Sequence, residues 1–157
     1  MMRIIVILCC CACLAGCNEA ISVGDKIDLC SDSSKLWQGS HAERMLVVYS
    51  ETGMCVDCWQ KQFIFWRSRI NRMDNARPDM KVVFILYPSR NEDMDVVKQI
   101  EIGEAAIVID STRLFYKKNH LRRNGDNNCF VIDRSNEVLF VGNPLFSNIQ
   151  WEEILSI

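Results

Sequence analysis

Three features of this sequence predict an α/β fold, a central mixed β-sheet flanked by helices on both faces. Short β-branched runs alternate with stretches of helical periodicity, one run is apolar on both faces, and a hairpin pattern followed by an amphipathic stretch closes the chain. The 157 residues are 49% hydrophobic and 24% charged, with net charge −2, enough for one domain with a real core. That balance excludes a disordered chain and a nucleic-acid binder of the basic type.

The elements follow in order. Met45-Leu-Val-Val-Tyr-Ser50 is apolar and β-branched in its middle, and predicts a buried strand. From Cys55 to Met73, Trp59, Phe63, Trp66 and Ile70 recur at helical spacing, and the helix ends near Asn75-Ala-Arg-Pro78. The aromatic run Phe63-Ile-Phe65-Trp66 surrounds that helix, which predicts burial on more than one side. Lys81–Tyr87 is apolar on both faces and predicts a strand covered by helices, stopped by Pro88-Ser89. Met94, Val97 and Ile100 place a helix over Asn91–Glu101. Ala105–Asp110 predicts a short strand, and Ser111–Lys118 a short helix with Leu114 and Phe115 inward. Residues 119–128 are loop by composition. Phe130–Asp133 and Val138–Val141 form a hairpin about the turn Arg134–Glu137, and Gly142-Asn-Pro144 ends it. Ser147–Ile157 then makes a closing helix with Ile149, Ile154 and Leu155 apolar.

Nine cysteines are unusual for a domain of this size, and their placement is informative. Cys9, Cys10, Cys11, Cys13 and Cys17 lie in the first seventeen residues, with Arg3 before an apolar run from Ile4 to Ala15. That run is about half of the roughly 20 residues that span a bilayer, and has the shape of a secretory signal. Its ending, Leu14-Ala15-Gly16-Cys17, resembles the lipobox of bacterial lipoproteins. The resemblance implies cleavage after residue 16 and a lipid on Cys17; an ordinary signal or an uncleaved anchor is the alternative. Residues 17–24 are then a short lipidated tether and 25–157 the domain. With Arg3 removed, 17 basic and 20 acidic residues remain, a net charge of −3. Such a chain lies outside the cytoplasm, where disulfides persist.

Cys55-Val-Asp-Cys58 follows a predicted strand and opens a predicted helix. Free N–H groups and partial positive charge at a helix start favour a thiolate on Cys55, and Cys58, three residues on, shares its face. Such a dithiol can attack a substrate disulfide through Cys55 and resolve the mixed disulfide through Cys58. The spacing also suits a structural disulfide, or half of a zinc site completed from His41, His120, Cys30 and Cys129, none in a paired motif.

These pieces, with Cys129-Phe-Val-Ile-Asp133 and Glu137-Val-Leu-Phe-Val-Gly-Asn-Pro144, resemble the thioredoxin-like superfamily from about residue 22 onward. The likeness is greatest to its exported TlpA/ResA-type thiol-disulfide oxidoreductase lipoproteins. It implies a thioredoxin-like fold and reduction of protein disulfides in the bacterial envelope, on the periplasmic side. It also implies a membrane thiol electron donor, membrane attachment through Cys17, no nucleic-acid partner, and no cofactor besides the Cys55–Cys58 disulfide.

The chain departs from that pattern at three places. Met54 stands where the family carries tryptophan, and Asn127 falls near the position of the usual loop proline. Tyr49 stands near the buried strand acid and cannot replace a carboxylate at neutral pH, leaving Glu51 as the nearest candidate for proton transfer. Thr52 stands three before Cys55, as the peroxidase branch of the superfamily requires, but the proline four before it is Val48 here. A redox-inactive binding module with a structural Cys55–Cys58 disulfide is the competing expectation, and a peroxiredoxin-like peroxidase the third.

Trp59, directly after Cys58, is either helix core or a lid over the dithiol. Cys30 and Cys129, in or beside apolar strand-like segments, are expected as buried thiols, with a mutual disulfide or a role for Cys129 beside the dithiol as alternatives. Lys117, Lys118, His120, Arg122 and Arg123 form a basic stretch expected as a solvated face, or as a contact for anionic lipid or an acidic partner. Asp57, between the cysteines, disfavours the neighbouring thiolate, so the Cys55 thiol should titrate only modestly below a free one.

Overall fold

The computed structural model describes residues 20–30, 35–37, 40–51, 56–88, 97, 100, 102–121 and 128–157, with the side chains of residues 36 and 56–59 outside that set. Its five strands are β1 (Arg44–Glu51), β2 (Met80–Tyr87), β3 (Ala106–Ile109), β4 (Cys129–Asp133) and β5 (Val138–Gly142). The helices described along their length are α1 (Val56–Ala76), α2 (Leu114–Lys118) and α3 (Asn148–Ser156), with a 3₁₀ turn at Lys35–Trp37.

The strand order is β3-β2-β1-β4-β5; β1, β2 and β3 run parallel, and β4 and β5 are antiparallel to their neighbours. The sheet is therefore mixed, and residues alternate between its faces as strand geometry requires. Leu46, Val48, Val82, Phe84, Leu86, Cys129 and Val131 share one apolar layer with Phe63, Trp66, Ile70 and Met73 of α1 and Trp151 and Ile154 of α3. Met45, Val47, Tyr49, Val83, Ile85, Phe130 and Ile132 fill the other with Ile27, Leu29 and Phe115. Burial on both faces explains why β1 and β2 read as unbroken apolar runs.

Edge-to-face contacts of Phe63 and Trp66 with Phe84, each 5.5 Å between centroids, seat α1 on the sheet. Ile132 pairs with Val138 but Val131 pairs with Phe140, which leaves Leu139 as the extra residue of a bulge. That bulge moves the faces by one residue, so Val138 and Phe140 enter opposite layers. In the hairpin turn the Asp133 carboxylate accepts the Ser135 and Glu137 N–H groups, and Asn136 takes φ 64°, which asparagine tolerates. Ser147 caps α3, its Oγ accepting the Gln150 N–H at 3.3 Å.

Several expectations are corrected. Ile64 and Phe65 are 69% and 55% exposed, because only one side of α1 meets the sheet; the aromatic run does not bury the helix all round. Helix α2 begins at Leu114 rather than Ser111, and Leu114 points outward while Phe115 is buried. In α3, Trp151 and Ile154 carry the core and Ile149 is 83% exposed. Cys30, expected buried, is only half-buried and takes φ 58°. The segment expected as tether is engaged from Ile21, which packs on the second layer, and Gly24 N–H donates to Val138 O at 2.8 Å. The helix expected over Asn91–Glu101 lies largely outside the described residues, of which Val97 is helical and buried.

Candidate active site

The parallel strands β1, β2 and β3 present their carboxyl ends together, the end at which open α/β sheets bind ligands. After Glu51 the chain reaches α1, which begins at Val56; Cys58 is the third residue of that helix by backbone. Thr52, Met54, Cys55 and Asn127 lie outside the described residues, as do the side chains of Asp57, Cys58 and Trp59. Asn128, just before β4, lies at this same end, its O accepting the Tyr49 N–H at 2.9 Å.

Glu51 closes β1 opposite Tyr87 of β2, on the face away from α1. Its Oε1 accepts the Tyr49 hydroxyl at 3.2 Å and Arg113 Nη2 at 2.5 Å. The Arg113 guanidinium lies over the rings of Tyr116 and Tyr87, 4.2 and 5.1 Å from their centroids. Arg113 takes φ 56° in a turn that Asp110 organises. Asp110 Oδ1 and Oδ2 accept the Leu114 and Phe115 N–H groups at 2.7 and 3.0 Å, and Asp110 N–H donates to Leu86 O at 2.8 Å. One cluster thus ties the ends of β1, β2 and β3 to α2. Burial raises the Tyr49 phenol far above its usual value, with the Glu51 charge adding to it, and the hydrogen bond to Glu51 raises Arg113. Glu51 is therefore a paired, partly buried strand-end residue.

Cys129 opens β4 opposite Val48 and Gly142, buried in the α1 layer. Burial pushes its thiol up to about 12. Cys30 is half-buried against the other layer; burial, then the Asp28 charge, raises its thiol too. Both are free, and the sheet separates them, which removes the mutual disulfide from the alternatives. In the basic stretch, Lys117 and His120 are exposed and Lys118 pairs with Asp28 at 2.8 Å, while Arg122 and Arg123 lie outside the described residues. Among the described residues no group of three or more histidine, cysteine or acidic side chains is placed to hold a metal.

Sequence reasoning missed Arg113, Tyr87, Tyr116 and Asp110. Asp110 had a local signal, an aspartate shortly before an apolar pair, as helix starts show. Arg113 had none, because Glu51 stands 62 residues away in sequence.

No protein-family model matches this sequence, and no curated protein matches it. Solved structures do resemble it. A thioredoxin-like protein from Parabacteroides distasonis superposes with TM-score 0.60 at 14% identity, covering 88% of this chain and 97% of that one. A thiol:disulfide interchange protein from a Bacteroides species gives 0.53 at 15%, over 88% and 91%. The pneumococcal exposed lipoprotein thioredoxin from Streptococcus pneumoniae gives 0.54 at 9%, over 74% and 85%. At these identities the likeness is one of fold, and the fold is thioredoxin-like.

Proposed function

We propose that this chain is a lipid-tethered thiol-disulfide oxidoreductase of the bacterial envelope, with Cys55 as nucleophile and Cys58 as resolving thiol. The observation that supports it most is the start of α1 at Val56, so that Cys55 immediately precedes the helix in sequence and Cys58 belongs to its first turn. Unpaired N–H groups and the positive end of the helix dipole favour a thiolate there. The Cys55 thiolate attacks a substrate disulfide, forming a mixed disulfide and releasing one substrate thiolate. The Cys58 thiolate then attacks the Cys55 sulfur, the second substrate thiolate leaves, and the protein ends as the Cys55–Cys58 disulfide. Two electrons have passed to the substrate, the two sulfurs carry them without a cofactor, and a membrane thiol donor restores the dithiol.

The experiment is insulin-disulfide reduction by the mature chain, together with Cys58→Ser, which stalls at the mixed disulfide. Turnover by the former and covalent substrate adducts on the latter are expected. No turnover and no adducts contradict the proposal. The competing reading, a binding module with a structural disulfide, draws on one observation: Glu51 and Asp110 at this end are both engaged in hydrogen bonds, so neither is a free proton acceptor. The reduction potential separates the two readings.

A further inference from the structure

The sheet has two edges, and the chain treats them differently. Along β5, Gly24 N–H donates to Val138 O and Val138 N–H to Asp25 O, both at 2.8 Å, so the segment before β1 pairs with the start of that edge. Along β3 the outer row is open. Asp110 N–H donates to Leu86 O, next to the Leu86–Ile109 pair of the parallel ladder. By alternation Ala106 and Val108 bond to β2, while Ile107 and Ile109 turn their N–H and C=O groups outward. Among the described residues nothing bonds to those outer groups. Ala105–Ile109 contains no proline and no charge, the side chains that usually blunt an edge. All four residues of β3 are half-buried, where the middles of β1 and β2 are buried, so apolar surface stays uncovered on both faces of this edge.

A cavity of about 530 Å³ lies at the start of this strand, lined by Ile70, Met80, Val82, Ala105, Asp74 and Glu104. Burial raises the Asp74 carboxyl, the Glu104 charge raises it further, and no cation offsets either. Of the other ionisable groups on the wall, His41 is exposed and Lys81 is already engaged. Arg44 and Arg77, next along this end of the sheet, are taken up by Asp79. Antiparallel pairing of two β3 edges would set the Glu104 end of each against the Asp110 end of the other, acid against acid. A basic segment meets the opposite sign. We infer that the β3 edge takes an extended, lysine- or arginine-bearing segment of a partner polypeptide as an added strand, its backbone pairing with Ile107 and Ile109 and its cation entering the cavity beside Asp74 and Glu104. This contact uses neither Cys55 nor Cys58.

Among the described residues both apolar layers are built from Ile21 onward, so a chain beginning at Asn18 keeps the whole core. That chain is titrated into a fluorescently labelled peptide of alternating valine and threonine with a lysine at each end. Binding is expected, with slowed amide exchange at Ile107 and Ile109. Glutamate ends, or N-methylation of every residue between the ends, should weaken it about 10-fold or more, and so should Asp74→Asn with Glu104→Gln. Glu137→Gln, at the β5 edge, should leave it unchanged. No binding by the lysine-ended peptide overturns the inference. So does equal binding by either altered peptide or by the double variant, protection confined to other strands, or an equal loss in Glu137→Gln. A concentration-dependent dimer that Ile107→Pro abolishes, without peptide binding, assigns the edge to a second copy and also overturns it.

Discussion

Replacing Arg113 by Gln tests whether the cluster at the carboxyl ends of the strands holds the end of β1 in place. Ser50 and Glu51 pair with β2 but extend past the β4 register, which ends at Val48–Cys129. The Arg113 side chain therefore gives Glu51, four residues before Cys55 in sequence, a second attachment. The two partners are 28% and 20% exposed, between a surface pair and a buried one. Surface pairs contribute up to about 1 kcal/mol, and breaking a buried pair costs about 3–5 kcal/mol, so about 1.5–2 kcal/mol is expected here. The two ring contacts add about 0.5–1 kcal/mol each, and the total is less than the sum because one guanidinium makes all three interactions. The predicted loss is about 2–3 kcal/mol, read as a lower urea midpoint with an unchanged slope by tryptophan fluorescence. Glu51→Gln leaves Arg113 on its rings and should cost about 1–1.5 kcal/mol, with a non-zero coupling in the double-mutant cycle. An Arg113→Gln protein within about 0.5 kcal/mol of wild type, or a zero coupling, would refute the reasoning.

Further outcomes follow from the buried and charged groups. Cys129 should resist iodoacetamide at pH ~8 in the native chain and react only in denaturant, by peptide mass mapping, because burial holds its thiol up at about 12. The folded state keeps that proton while an unfolded thiol releases it near about 8.5, so stability falls as pH rises above about 9, and Cys129→Ala should flatten that limb. Asp79 is held down at about 2 by Arg77, which donates to it at 2.8 and 2.9 Å. Its contribution is full above about pH 4 and fades as pH falls toward about 2; with the side chain 37% exposed, Asp79→Asn should remove under about 1 kcal/mol of acid-dependent stability. Ile70, 1% exposed between α1 and the sheet, should cost about 2–4 kcal/mol on truncation to Ala in the same urea assay.

What the sequence disclosed is what depends on near neighbours. β1 and β2 were legible because burial on both faces leaves an unbroken apolar run, and their observed ends fall within one residue of those expected. The inner face of α1 was legible from the spacing of Phe63, Trp66 and Ile70. Ile64 and Phe65 misled because apolar density does not report which side of a helix another element covers. Trp151 was passed over for Ile149 for a related reason: the partner of α3 is a sheet face that only the tertiary fold defines. At the site, the CxxC motif with a strand before it and a helix after it was visible in local sequence. The latch of Glu51 by Arg113, and its seat on Tyr87 and Tyr116, depends on bringing three distant strand ends together.

The reduction potential of the Cys55–Cys58 pair tests the central claim most directly. With Asp57 opposing the helix dipole, a working reductant should equilibrate with glutathione and thioredoxin couples at about −300 to −200 mV. A pair that stays oxidised below about −300 mV, or one as oxidising as about −120 mV, would contradict the account.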